Sequence, residues 1–74
     1  MRPAMTILGE AVRRFKQEGG RGTDWVWFQL GAAERESIDR HLVATEHPLC
    51  FLAGTAESRF RLLVAELAGE QGEG

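Results

Sequence analysis

The chain has 74 residues, 43% of them hydrophobic, a net charge of −2 and a single cysteine, Cys50. That fits one small domain and excludes an internal disulfide framework. No apolar run approaches the roughly 20 residues a bilayer crossing needs. Arg2, Thr6, Gly9 and Glu10 also interrupt any secretory leader, so the chain reads as cytoplasmic. A mildly negative charge gives no general attraction to polyanions.

The first four residues read as loose. Thr6 is placed to cap a helix over Thr6–Glu18, with Met5, Leu8, Val12 and Phe15 on one stripe and Ala11 beside it. Gly19-Gly20-Arg21-Gly22 ends that helix as a flexible connector. Trp25-Val26-Trp27-Phe28-Gln29-Leu30 is rich in strand-favouring types, yet a lone six-residue strand has only Leu49–Ala53 to pair with. Helical or irregular backbone, capped by Thr23 or Asp24, is therefore favoured for this segment.

Gly31 then reads as the N-cap of a second helix, Ala32–Thr45, with Glu34 reaching back to free backbone N–H groups. Its apolar stripe is narrow, Ile38 and Leu42, and His47-Pro48 stops it. Gly54 or Thr55 opens a last helix, Ala56–Ala68, on the stripe Ala56, Phe60, Leu63, Val64 and Leu67. Residues 69–74 form an acidic, Gly-rich tail expected to be disordered.

The pattern describes a mainly α fold: a single three-helix domain over residues 1–68 with two short apolar links. The alternative is a small α+β domain with strands at 25–30 and 49–53. The expected core is Leu8, Val12, Phe15, Trp27, Phe28, Leu30, Ile38, Leu42, Phe51, Phe60, Leu63, Val64 and Leu67. A short echo runs through the chain: Phe28-Gln29-Leu30-Gly31-Ala32-Ala33-Glu34 returns 23 positions later as Phe51-Leu52-Ala53-Gly54-Thr55-Ala56-Glu57. It reads as the same helix-start recipe used twice, because the helices that follow differ in their apolar positions.

Chemistry-bearing motifs are sparse. His41, His47 and Cys50 are the only soft metal ligands, short of the four a structural zinc site uses. Cys50 lies between Leu49 and Phe51, an apolar setting in which a buried, structural cysteine is expected. The Gly-rich connector lacks the Lys-Ser/Thr and the preceding strand of a phosphate loop. No catalytic residue, cofactor or metal is expected.

The aromatic cluster is the informative feature. Trp25, Trp27, Phe28, Phe15, Phe51 and Phe60 are many rings for so short a chain, and each buries roughly 150–250 Å² when enclosed. Trp and Arg are the types enriched at binding hot spots. Trp25, Trp27, Arg21, Arg13 and Arg14 are therefore the expected contact set of a non-catalytic protein-binding module, an adaptor or inhibitor of a larger protein or complex. Small cofactor-free chains of this type include phage anti-defence and host-takeover proteins, a likeness of size and kind only. A second copy of the chain, making a homodimer, is the other candidate partner. The competing reading is a dimeric nucleic-acid-binding regulator using Arg13, Arg14, Lys16 and Arg21. It is disfavoured by the interleaved Glu10 and Glu18.

Overall fold

The computed structural model describes residues 2–52 and 54–72, with the side chains of 71 and 72 left aside. The fold is all-α: α1 (Ala4–Gln17), α2 (Thr23–Gln29), α3 (Ala32–Ala44), a 3-10 turn (Pro48–Phe51) and α4 (Ala56–Gly72). There is no strand among the described residues. The α+β alternative is thus not supported, since 25–29 is helical and 48–51 is a 3-10 turn.

α1 starts earlier than expected. The carbonyl of Pro3 accepts from the N–H groups of Thr6 (3.1 Å) and Ile7 (3.2 Å), so Thr6 lies inside the helix and does not cap it. Arg2, expected to be loose, is tied down instead. It pairs with Glu10 and with Glu34, the latter through its Nε (3.2 Å) and its backbone N–H (3.3 Å). The Arg2 side chain, with help from the backbone N–H groups of Arg2 and Gly31, holds the Glu34 carboxyl below its ordinary value.

The buried stripe of α1 is Ala4, Ile7, Leu8, Ala11 and Val12. Met5 was expected on it but is 65% exposed. At 100° per residue Met5 stands at the stripe's edge, and Ile7, four residues before Ala11, takes the inward place. The helix ends in a Schellman motif: Gly20 N–H reaches the Phe15 carbonyl (2.8 Å) while Gly19 sits at φ 64°.

The Gly-rich connector leads directly into α2. Gly22, in a left-handed conformation at φ 83°, is its N-cap, so neither Thr23 nor Asp24 caps it. Leu30 and Gly31 then take extended backbone, and α3 begins. Glu34 returns a hydrogen bond to the Gly31 N–H (3.4 Å), which is half of a capping box because glycine has no side chain to complete it. α3 ends in a second Schellman closure, with His47 N–H on the Leu42 carbonyl (2.9 Å) and Glu46 at φ 53°. Thr55 caps α4 by accepting from the Ser58 N–H (3.1 Å). The two echo copies therefore both mark helix starts but are offset by one residue, since Gly31 is matched to Gly54 while the second cap is Thr55.

α4 packs against every other element. Phe60, Leu63, Val64 and Ala68 project from it into a core shared with Ile7, Leu8, Val26, Trp27, Leu30, Ile38 and Leu42. Phe15 and Leu67 are only partly buried. Two expected core residues are not in the core at all: Phe28 is 66% exposed and Phe51 84%. Phe28 is displaced because a seven-residue helix can turn only one side inward, and Val26, Trp27 and Leu30 occupy it. Phe51 ends the 3-10 turn, whose inward contacts come from Leu49 and Cys50. α4 continues four residues past Ala68 to Gly72. Glu73 and Gly74, the rest of the expected tail, lie outside the described residues.

Candidate functional site

α2 is short and apolar on both sides. On a helix, Thr23, Val26, Trp27 and Leu30 share one side, and all four are buried. Trp25 and Phe28, three residues apart, fall on the opposite side, 56% and 66% exposed. Two large rings thus stand side by side in water on a helix whose other side is already anchored.

Trp25 and Trp27 are both in the expected contact set, and Trp27 is in the expected core as well. Trp27 is 5% exposed and belongs to the core, in agreement with the second expectation. Its ring lies 5.1 Å from that of Phe60, tilted by 38°. The Arg35 guanidinium covers the ring at 4.7 Å, and its Nε and Nη2 donate to the Trp27 carbonyl at 3.3 and 3.0 Å. Arg35 therefore seals the C-terminal end of α2 from α3 and encloses the ring. Sequence reasoning missed Arg35, whose partner is eight residues away across a chain reversal and leaves no periodic signal.

Two of the expected cations, Arg14 and Arg21, lie near the start of α2. Arg14 pairs with Glu18 (3.5 Å) and runs its stem beside Gly22, where an added Cβ would lie 3.1 Å from the Arg14 Cγ. Arg21 is exposed and helps line an open cavity of about 420 Å³ with Phe15, Thr23, Asp24 and Arg61. Arg61 is held there by Asp24 (3.7 Å) and Glu57 (3.2 Å). Arg13, Lys16 and Arg21 are exposed and make no ion pair among the described residues. Arg14, by contrast, is already committed to Glu18. Arg14 and Arg21 thus lie at the start of α2, beside Gly22 and Thr23, while Trp25 and Phe28 are exposed and Trp27 is buried.

His47 is occupied on both ring nitrogens. Its Nδ1 accepts from the Leu49 N–H (3.1 Å), which places the proton on Nε2, 2.8 Å from the Glu66 carboxylate. Its role is to cap the 3-10 turn and tie it to α4. Cys50 is half-buried. Among the described residues no three His, Cys, Asp or Glu side chains gather as a metal set, and no helix is long and apolar enough to cross a membrane. No protein-family model, no curated protein and no solved structure matches this chain, so its own residues carry the functional argument.

Proposed function

We propose that the chain is a non-catalytic protein-binding module, an adaptor or inhibitor that docks onto a larger protein or complex through the outer side of α2. The observation that carries this reading is the exposure of Trp25 and Phe28 opposite the buried Val26 and Trp27. An amphipathic helix normally turns polar residues outward, and two rings at i, i+3 are the spacing by which a helix anchors in a partner's groove. At the start of this helix, the exposed Arg21 and Arg14 beside Gly22 suit a groove with an acidic rim. The cytoplasm is the compartment proposed for this activity, and a phage-type anti-defence or host-takeover protein is one form it takes.

The test is capture from a host lysate with the wild type beside a Trp25→Ala, Phe28→Ala double variant of unchanged circular dichroism. A protein held by the wild type and released by the double variant supports docking through α2. Equal retention by both removes α2 as the docking element.

A further inference from the structure

A second apolar surface lies away from α2, where α3, the 3-10 turn and α4 meet. A cavity of about 220 Å³ there is lined by Leu42, Val43 and Cys50, with Asp39 and Arg59 paired across it at 3.6 Å. Phe51 and Leu52 follow Cys50 directly. Leu62 lies on the α4 ridge between Arg59, which bonds to α3, and Glu66, which bonds to His47. Val43, Phe51, Leu52 and Leu62 are 65, 84, 42 and 48% exposed. They leave roughly 400 Å² of apolar surface in water, the range at which a patch marks an interaction site.

Area and charge both point to one occupant. One side of a standard interface covers about 800 Å², a little over half of it apolar, so this patch supplies the apolar part of one side. Its surroundings are mixed in sign: the Asp39–Arg59 pair, and Arg40 and Glu46, exposed three residues either side of Val43. A neutral, mixed rim can meet its own two-fold copy with acids opposite bases.

We propose that the Phe51 face pairs with the same face of a second copy, giving a two-fold homodimer in solution. The pairing leaves α2 uncovered, so the dimer carries two Trp25–Phe28 faces. The dimer itself does not depend on the α2 reading and fails separately from it; only its bivalency rests on that reading.

The experiment is sedimentation equilibrium on the wild type, on Phe51→Glu, and on the Trp25→Ala, Phe28→Ala double variant, from micromolar to hundreds of micromolar. The wild type and the α2 double variant are expected to reach twice the chain mass of 8.2 kDa, while Phe51→Glu stays at 8.2 kDa. Phe51 makes little contact with the core, so this substitution leaves the fold intact, and circular dichroism checks that. A wild type that remains at the single-chain mass throughout overturns the proposal. So does a dimer that survives Phe51→Glu, or one that disappears in the α2 variant.

Discussion

Replacing each tryptophan separately by alanine tests the division of α2 into an anchored and a free side. Trp27 is 5% exposed, against Phe60 on one side and Arg35 on the other. Truncating a buried ring of this kind costs about 3–5 kcal/mol. The Arg35 hydrogen bonds go to the Trp27 carbonyl and survive the substitution, so the loss is the ring's own packing. A domain of this length holds about 4–11 kcal/mol in all, so Trp27→Ala removes a large share of it. At about 4–8 °C per kcal/mol, the midpoint of thermal unfolding falls by roughly 12–40 °C. Trp25 is 56% exposed, and Trp25→Ala is expected to cost no more than about 1 kcal/mol. Thermal melts followed by circular dichroism read both values. Acrylamide quenching adds an independent check: Trp27 as the only tryptophan, in Trp25→Phe, is shielded, and Trp25 alone, in Trp27→Phe, is accessible. Similar melting losses for the two alanine variants, or ready quenching of Trp27, would refute the assignment of inner and outer sides.

Arg35→Lys should lower stability by about 1–2 kcal/mol in urea unfolding, because a lysine cannot both cover the ring and donate twice to the Trp27 carbonyl. The Glu34 carboxyl is held below its ordinary value of 4.5, chiefly by the Arg2 side chain. The unfolded chain therefore takes up this proton first as the pH falls. The resulting stabilisation is complete above 4.5 and is lost as pH drops through the lower folded value. Glu34→Gln should flatten the acid limb of the stability–pH curve, and an unchanged limb would show that Arg2 and Glu34 are not coupled. Two left-handed positions should respond with opposite signs in thermal melts. Gly22→Ala, at φ 83° and with its Cβ against Glu18 and Arg14, should cost about 1–2 kcal/mol, whereas Glu46→Gly, relieving φ 53°, should gain about 1 kcal/mol.

The helices were legible because each has a local cause. The glycines after α1, Gly31 with Glu34, and Pro48 after α3 set the ends of the long helices to within a few residues. The stripe of α4 identified Phe60, Leu63 and Val64 as core from their spacing alone. What the sequence did not resolve depends on contacts distant along the chain. Whether α2 turns Val26 and Trp27 or Trp25 and Phe28 inward is invisible in a run that is apolar all round, and Phe60 and Arg35 decide it. Likewise, Arg2 is ordered by Glu10 and Glu34, and nothing in its own neighbourhood says so. The candidate site was legible in part: Trp25 is exposed as a contact residue needs to be, Phe28 was assigned to the core but is exposed, and Trp27 was placed in both the core and the contact set, of which its burial agrees with the core.

The two misplaced phenylalanines are themselves informative. Phe28 and Phe51 head the two echo copies, and both end outside the core, just before the chain turns into its next helix. Starting those helices needs only the glycine, the cap and the glutamate further on, so the recipe does not require a ring at its head. A ring left mostly in water contributes little to folding, since its exposure changes little between the unfolded and folded chain. Trp25, Phe28 and Phe51 could therefore become polar at small cost to the fold, while each exposed ring adds a tendency to associate. In a chain whose core is completed by Trp27 and Phe60, the stability of the monomer does not account for the outer rings. The two proposals each give them a role, a partner's groove at α2 and a second copy at Phe51, and the capture and sedimentation experiments decide each separately.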